Sequence, residues 1–326
     1  MGMQQLRGEL EELISFDDFS SVLKSMASIK YPKFKRQLDG FRVFADSVNN
    51  NLLLAYNSFN PEDVTLEDFK KELEAYEDVD TYLEIEEGLR KYGVQSFFET
   101  SENTNTLVIV ITANLGFCGK YNREVLSSSD ELIDNLTKKS KVDIVCIGKK
   151  ACDYLSSKRQ IPSENLRYFP EKNEEEKVNL SNFLLKNKIL HPFLKKEISS
   201  VKIIYQSFSD FPKITTEPRV IDILPIPRLE VKKEIMDRKT VFEPSPLLCL
   251  CYLIRESLFA SLMSCLFEAE TTENYFRMIA MNQASESIKE MLGKKESEIR
   301  KFRQSLITKE LVEIISGAEA LKNREN

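Results

Sequence analysis

The sequence predicts an α/β protein in which long helices at the two ends pair as an antiparallel coiled coil, with a Rossmann-like α/β globular domain inserted between them. Near both ends, apolar residues recur every three or four positions, the spacing of a helix that buries one face. In the middle, strand-like runs alternate with helical segments, which is typical of βαβ units. We therefore expect an N-terminal helix over 1–58, an acidic connector over 59–104, the α/β domain over 105–240 and a C-terminal helix over 241–326.

The N-terminal helix is predicted from a long apolar stripe. Proline lacks a backbone N–H, so Pro32 is expected to kink or locally break this helix. The stripe consists of Leu6, Leu10, Leu13, Phe16, Phe19, Leu23 and Met26 before the proline, and of Phe34, Leu38, Phe41, Ala45, Val48 and Leu52 after it.

The connector is acidic, and the segment "TLEDFKKELEAY" within it predicts a short helix of a lid or linker. The α/β domain follows, with strands expected at 106–113, 141–148, 201–208 and 219–226. Helical segments follow the first and second strands, and a longer one around 175–195 precedes the third. This early alternation indicates a partly parallel sheet.

The C-terminal helix is predicted from steps of three and four, with a slip near Gly293. About 75 residues at 1.5 Å each would make a helix on the order of 110 Å long. The alternative is two ordinary helices broken at Gly293. The apolar run "PLLCLCYLIRESLFASLMSCLF" contains Arg255 and Glu256, so we expect a buried helix and not a membrane span. The stripe consists of Met281, Ala284, Ile288, Met291, Ile299, Phe302 and Leu306, then Ile307, Leu311, Ile314, Ala318 and Leu321.

A nucleotide site is the main catalytic alternative, because "LVIVITANLGFCGKYNREVL" resembles a strand, a glycine turn and a helix. A phosphate-binding loop needs glycine where Asn114 stands and a serine or threonine where Tyr121 stands. The spacing therefore favours a structural turn in which glycine supplies a positive φ.

Composition excludes several other functions. The net charge of −6 and the lack of a basic stripe argue against a nucleic-acid partner. His191, the single histidine, is expected in a loop after a helix, and six scattered cysteines are expected to be reduced, buried thiols of a cytosolic protein. The N-terminus lacks the pattern of a signal peptide. We predict no catalytic residue, cofactor or metal.

The C-terminal run "FRMIAMNQASESIKEMLGKKESEIRKFRQSLITKELVEIISGAEAL" resembles the gamma subunit of F-type ATP synthases, the central rotor shaft. The family's A-R-M-x-A-M-x-x-A-T stretch is matched from Arg277 to Ala284, and its R-Q-x-x-I-T-x-E-L pattern from Arg303 to Leu311. "FEPSP" is similar to the family's Y-E-P-S-P, and "TANLGFCGKYN" to its T-S-D-R-G-L-C-G-G-x-N turn. The turn is then a structural loop of the globular domain.

The resemblance implies a non-catalytic rotor inside a hexamer of alpha- and beta-type subunits that hydrolyses or makes ATP. It implies a globular foot that meets an epsilon-like subunit and a membrane ring, at the cytoplasmic face of the membrane. Rotor–stator contacts are carried over to Leu23, Lys24, Met26, Arg277, Arg303, Gln304, Thr308 and Glu310.

The departures from the family concern its partners. Family members begin with a basic helix, whereas Glu9, Glu11, Glu12, Asp17 and Asp18 stand here. Low glycine and proline and a Lys/Asn-rich character suit an AT-rich genome such as a mollicute's, and some mollicutes carry divergent copies associated with gliding motility. This favours a specialised ATP-driven motor. A proton-coupled synthase and a non-rotating coiled-coil adaptor are the alternatives.

Overall fold

The computed structural model describes residues 3–58, 66–73, 79–99, 105–170, 174–209, 214–227 and 242–322. Two long helices, α1 (Met3–Ser58) and α8 (Pro246–Lys322), are the first and last elements along the chain. The chain divides into two compact units, one formed by residues 1–29 with 277–326 and the other by residues 30–276.

The larger unit contains a mixed sheet and several shorter helices. The strands are β1 (Thr106–Ile111), β2 (Val142–Ile147), β3 (Leu166–Arg167), β4 (Ser200–Gln206) and β5 (Pro218–Leu224). The helices are α2 (Leu66–Leu73), α3 (Val79–Tyr92), α4 (Tyr121–Thr137), α5 (Lys149–Lys158), α6 (Glu174–Leu184) and α7 (His191–Leu194). All four predicted strands are confirmed; the two-residue β3 is too short for a sequence pattern to indicate.

The sheet has the strand order β3-β2-β1-β4-β5. Strands β1 to β4 pair in parallel, with Val108 opposite Ile144 on one side and Lys202 on the other, and β5 runs antiparallel to β4. The expectation of a partly parallel sheet is therefore confirmed, with α4 and α5 following β1 and β2 as βαβ units.

Every residue of β1 is buried, because the sheet is covered on both faces. Leu107, Ile109 and Ile111 join a core that also contains the apolar residues of α8, whereas Val108 and Val110 pack with α4 and α5. An 18-residue window of α8 is long and apolar enough to cross a membrane by composition, and 56% of it is buried. The predicted buried helix is confirmed.

The described part of the connector packs into that same core. The short helix expected in "TLEDFKKELEAY" is α2, whose Phe69 and Leu73 are buried. Helix α3, which the sequence reading did not predict, buries Ile85 and Leu89. Helices α2 and α3 thus contribute to the same hydrophobic core as α8.

The prediction for His191 was wrong. Helix α6, a π-helical turn at Leu185–Leu190 and α7 form one helical run, so His191 lies within it and not in a loop. Its Nδ1 lies 3.3 Å from the Glu84 carboxylate, and the pair is solvent-exposed.

The structure describes all six cysteines, and none of them forms a disulfide. Four are buried, and Cys152 and Cys249 are half-buried. Burial raises the pKa of Cys146 to about 12, which keeps that thiol protonated at neutral pH.

Helix α1 runs through Pro32 without a break, so of the two predicted outcomes the local break is wrong and the kink stays a prediction. Proline removes the hydrogen bond to the carbonyl four residues earlier, that of Ser28. Both Pro32 and Ser28 are exposed, so water can donate a hydrogen bond to the Ser28 carbonyl in place of the missing N–H.

Helix α8 likewise continues through Gly293, which rules out the two-helix alternative. Because Gly293 is exposed and an added Cβ would meet nothing within 4 Å, we expect Gly293→Ala to stabilise the protein by about 1 kcal/mol. The midpoint of thermal unfolding measures this. Gly88→Ala is the matched control, because its Cβ would approach Leu194 Cδ2 to 2.4 Å and we expect no gain there. A lower midpoint for Gly293→Ala would show that α8 needs glycine at this position.

Candidate functional site

The smaller unit is a helix pair with a regular seam. On α8, the buried residues Met281, Ser285, Ile288 and Ile299 are spaced by four, three and eleven. On α1, Leu6, Ser20 and Ala27 are spaced by fourteen and seven. Because these steps fit one heptad repeat, the seam needs no slip near Gly293, and the slip predicted there was wrong.

Three polar contacts cross the seam and fix its direction. Lys24 Nζ donates to Asn282 Oδ1 (2.5 Å), Ser285 Oγ donates to Asp17 Oδ1 (2.8 Å), and Lys295 Nζ lies 2.6 Å from Glu9 Oε2. Residue numbers fall along α1 as they rise along α8, so the helices are antiparallel, as predicted. Polar residues at seam positions set the register of paired helices.

The apolar stripe predicted on α1 before Pro32 coincides with the seam at Leu6 but leaves it from Phe16 onwards. Phe16, Phe19 and Met26 are 49%, 43% and 48% exposed, and Leu23 is half-buried. The seam lies one residue further along, at positions that include Ser20 and Ala27. The small side chains of Ser20 and Ala27 let the helix backbones approach. Beside them, Asp17 and Lys24 bond to side chains of α8.

Large apolar side chains are also exposed in this unit, both on the outer side of α1 and on α8 beyond its last buried seam residue, Ile299. On α8 they concentrate towards its end, where the exposed ones are Leu306, Ile307, Leu311, Val312, Ile314 and Ile315. Clusters of exposed apolar residues of this size mark surfaces that bind a protein or a membrane.

The structure distributes the predicted contact residues over three environments. Leu23 and Lys24 are half-buried, and Lys24 bonds to Asn282, whereas Met26 is exposed. Arg277 is buried, with 8% of its surface exposed. Arg303, Gln304, Thr308 and Glu310 are all exposed, and Thr308 Oγ1 donates to the Gln304 carbonyl of its own helix (2.8 Å).

In the loop after β1, which resembles a phosphate-binding turn, polar side chains form hydrogen bonds with other parts of the protein. Asn114 Oδ1 accepts the N–H groups of Lys149 (3.1 Å) and Phe169 (2.9 Å), and its Nδ2 donates to the Phe169 carbonyl (2.8 Å). Thr112 Oγ1 accepts the N–H of Ala151 in the first turn of α5 (2.8 Å). The Thr112 and Asn114 side chains thus bond to neighbouring parts of the protein, which supports the structural interpretation.

The turn has the glycine with positive φ that was predicted, Gly119 with φ 54°. Phe117 also has a positive φ, 62°, which was not predicted. Tyr121 is buried, and its hydroxyl donates to the Ala269 carbonyl of α8 (3.1 Å). The tyrosine thus joins the loop to the long helix instead of standing in for a magnesium-binding hydroxyl.

A buried charged cluster on α8 was not predicted. Glu268 Oε1 accepts the Phe208 N–H (2.7 Å) and lies 3.3 Å from Arg42 Nη2, while its Oε2 accepts from the Tyr205 hydroxyl (3.2 Å). These contacts attach β4, Phe208 two residues after its end, and α1 to α8. The signal was present in the sequence as the polar run "EAETTEN" within an apolar helix.

The same cluster contains a buried ion pair. Lys177 Nζ, from α6, lies 2.8 Å from Glu270 Oε2, and both side chains are almost fully buried. The ammonium also lies 5.4 and 5.5 Å from the ring centroids of Phe34 and Phe267. Burial raises the pKa of Glu270 to about 7, although Lys177 acts in the opposite direction.

Comparison with known proteins gives a consistent result. The family model described as ATP synthase matches residues 2–321. The ATP synthase gamma chain of Cytophaga hutchinsonii is 31% identical over 237 residues, covering 70% of this chain and 77% of the relative. The ATP synthase gamma chain of Rickettsia typhi is 27% identical over 323 residues, covering 98% and 99% of the two chains.

Solved structures share the fold. A chain of the Euglena gracilis mitochondrial ATP synthase (OSCP/F1/c-ring, rotational state 3) has a TM-score of 0.58 at 18% identity, covering 100% of this chain and 97% of that one. A chain of the Tetrahymena thermophila mitochondrial ATP synthase central stalk and c-ring has a TM-score of 0.50 at 17% identity, covering 82% and 99%. With a family match along nearly its whole length, the chain belongs to the ATP synthase gamma-chain family.

Proposed function

We propose that this chain is a rotor that turns inside a hexamer of alternating alpha- and beta-type subunits and couples ATP turnover in the hexamer to that rotation. As a gamma chain it is the non-catalytic central-stalk subunit of an ATP synthase, whose catalytic sites lie on beta. The observation that carries the proposal is the exposed apolar end of α8, from Leu306 to Ile315, which continues the helix that forms the seam with α1. Exposed apolar patches of this kind mark surfaces that bind a partner.

Coupling requires that each angle of the rotor favours one conformation of the surrounding subunits. A ligand shifts an equilibrium only by its difference in affinity for the two states, and the same holds for a rotor surface. The outer residues Arg303, Gln304, Thr308 and Glu310 belong to the same continuous helix as the seam residues of α8, so they turn together with it.

In the larger unit, the buried contacts of Glu268 and Lys177 attach α1, α6 and the sheet to α8. Torque on α8 would therefore reach the whole of this unit. We propose that the unit is the foot of the rotor and binds an epsilon-like subunit and a membrane ring at the cytoplasmic face of the membrane. The similar Tetrahymena and Euglena structures both contain a c-ring, which supports this assignment.

Two versions of the function differ in what the foot drives. In one, the chain belongs to a proton-coupled synthase; in the other, to a specialised ATP-driven motor such as a gliding machine of a mollicute. The full-length match to the Rickettsia typhi ATP synthase gamma chain supports the synthase version. The motor version rests on composition and on the acidic N-terminal helix alone.

The test is purification of the native complex through a tag on this chain, followed by mass spectrometry and an ATPase assay. We expect an ATP-hydrolysing alpha/beta hexamer. A proton-conducting ring in the same complex would support the synthase version, and a cytoskeletal or surface-motility partner without a ring would support the motor version. Purification without any hexamer would contradict the rotor proposal.

Substitution of the outer surface of α8 separates rotation from adaptor function. In the purified complex, we expect Gln304→Ala with Thr308→Ala to lower the ATPase rate by about threefold or more, because angle-dependent contacts with the hexamer are lost. Glu296→Ala, also exposed on α8, is the matched control and should leave the rate unchanged. An unchanged rate in the double variant would favour a non-rotating adaptor.

A further inference from the structure

The helical run from α6 to α7 contains one irregular turn. Leu185–Leu190 is π-helical, and at its end the N–H of His191 donates to the carbonyl of Lys186, five residues earlier. A π-helical turn holds one more residue than an α-helical turn, so it changes the direction of every side chain that follows it. Such turns are rare and occur frequently where function requires an unusual side-chain position.

The side chains before this turn attach the run to α8. Lys177 Nζ lies 2.8 Å from Glu270 Oε2, and the Ser181 hydroxyl donates to the sulfur of Met263 (3.2 Å). Both α6 residues are buried and lie four positions apart, so they share one face of an α-helix. This face holds α6 against α8.

The side chains after the turn attach the run to α3 and to the 3₁₀ turn that follows α3. Leu194 lies so close to α3 that a Cβ added to Gly88 would be 2.4 Å from its Cδ2. Phe193 is buried, and its ring centroid lies 5.4 Å from that of Phe97 in the 3₁₀ turn. Helix α7 therefore packs against a different part of the larger unit than α6 does.

The residue that ends the run also contacts α3. Lys196 has φ 61°, a backbone conformation that residues with a Cβ seldom adopt. Its Nζ lies 4.2 Å from the ring centroid of Tyr92, in the last turn of α3. Strained conformations persist where the surrounding structure determines them, so the contacts with α3 fix where the run ends.

The spacing of apolar residues in the run matches the π-helical turn. The buried pair Leu184–Leu185 is repeated five residues later as Ile189–Leu190, and both pairs belong to the core that contains α8. In an α-helix, five steps of about 100° would place the second pair about 140° away from the first. A spacing of five is instead that of the π-helical hydrogen bond.

We propose that the π-helical turn is a positioning device, whose extra residue lets one helical run bind α8 through α6 and α3 through α7 at the same time. Without that residue, Phe193 and Leu194 would turn by about 100° relative to α6, and their contacts with Phe97 and Gly88 would be lost. The connector helix α3 is thus fixed to the long helix through this run. The proposal concerns the larger unit by itself and does not rest on the proposed function.

The test removes the extra residue from the full chain. Asn187 lies within the π-helical turn and is exposed, so its deletion shortens the run without removing a buried side chain. We expect hydrogen exchange of the α3 amides to become at least about tenfold faster, because α7 turns away from α3, while the α4 and α5 amides exchange as before. Asn187→Ala, which keeps the number of residues, is the matched control and should leave exchange unchanged.

A second substitution reports whether Leu194 has moved. In the unmodified chain, Gly88→Ala should lower the midpoint of thermal unfolding, because the added Cβ meets the Leu194 side chain. In the deletion variant, this loss should be at most about half as large, because Leu194 no longer faces α3 and alanine favours a helix more than glycine does. A general loss of stability would leave the effect of Gly88→Ala the same in both chains.

Two results would overturn the proposal. One is equal exchange of the α3 amides in the deletion variant and in Asn187→Ala; the other is an equal effect of Gly88→Ala in both chains. Far-UV circular dichroism shows whether the deletion variant folds. If it does not, Leu194→Ala in the full-length chain takes its place, and unchanged exchange of α3 in that variant would show that α7 does not hold α3.

Discussion

The double substitution Lys177→Met with Glu270→Gln is expected to leave the chain about as stable as the unmodified protein, whereas either substitution alone should cost about 3–5 kcal/mol of the free energy of unfolding. Removing one partner leaves the other buried without compensation, since both side chains are almost fully buried. Replacing both removes two desolvation penalties along with one attraction. The thioether of methionine also packs well between aromatic rings such as those of Phe34 and Phe267.

The pair should also make stability depend on pH. The pKa of Glu270 is raised to about 7 by burial, with a smaller contribution of the same sign from Glu273, while Lys177 and Lys30 lower it. The folded chain therefore holds this proton more tightly than the unfolded chain does. The contribution of Glu270 is most favourable below about pH 4.5 and is lost as the pH rises to about 7, a change of about 3 kcal/mol.

Thermal unfolding midpoints of the four proteins, measured from pH 4.5 to pH 8, test both statements. The difference between the unmodified chain and the double variant isolates the pair, because the other carboxyl groups titrate in both proteins. Relative to the double variant, the unmodified chain should lose stability as the pH rises through this range. Additive effects of the two single substitutions would show that the side chains do not interact.

The Lys177–Glu270 pair could not be predicted from the sequence, although the elements that carry it could. The strands and the long helices follow from local patterns, because a run such as "TLVIVITA" indicates a buried strand whatever packs against it. The partner of Glu270, in contrast, does not follow from a local pattern. Lys177 lies in another helix, far away in sequence, and no local pattern identifies which buried acid will meet it.

The seam of the helix pair shows the same limit at finer scale. The period of the stripe on α1 was correct, but Phe16, Phe19 and Met26 lie outside and Ser20 and Ala27 lie inside. Hydrophobicity alone favours the phenylalanines, whereas the pairing also depends on Ser285 and Lys295 of α8, which meet Asp17 and Glu9. Which side of α1 faces α8 depends on two segments at opposite ends of the chain, so it cannot be derived from either segment alone.

The predicted contact residues have the same status. Arg303, Gln304, Thr308 and Glu310 are exposed, as a surface for a partner requires, but they were chosen by resemblance to the family and their contacts remain a prediction. The five acids of the N-terminal segment, Glu9, Glu11, Glu12, Asp17 and Asp18, are visible in the sequence. Only the seam contacts reveal which of them point outward.

Gly148→Ala is expected to destabilise the sheet by roughly 3–6 kcal/mol, because two penalties combine there. Gly148 has φ 98°, a backbone conformation that a side chain disfavours, and an added Cβ would lie 2.0 Å from the Thr112 carbonyl oxygen. That oxygen belongs to the backbone just after β1, so it cannot rotate away. The Gly148 N–H also donates to the Arg167 carbonyl (2.8 Å), which limits movement on the other side.

The loop after β1 supplies the matched control. At Gly116 an added Cβ would meet nothing within 4 Å, so Gly116→Ala should change the free energy of unfolding by less than about 0.5 kcal/mol. Hydrogen exchange of the β1 and β2 amides measures the local effect. Faster exchange in Gly148→Ala alone would show that the close approach of β1 to the start of α5 holds this part of the sheet together.

If Gly148→Ala instead exchanged as slowly as the unmodified chain, the hydrogen bonds that α5 donates to Thr112 and Asn114 would have to tolerate a displaced backbone. The loop would then be adaptable rather than fixed, and its interpretation as a rigid structural turn would be wrong.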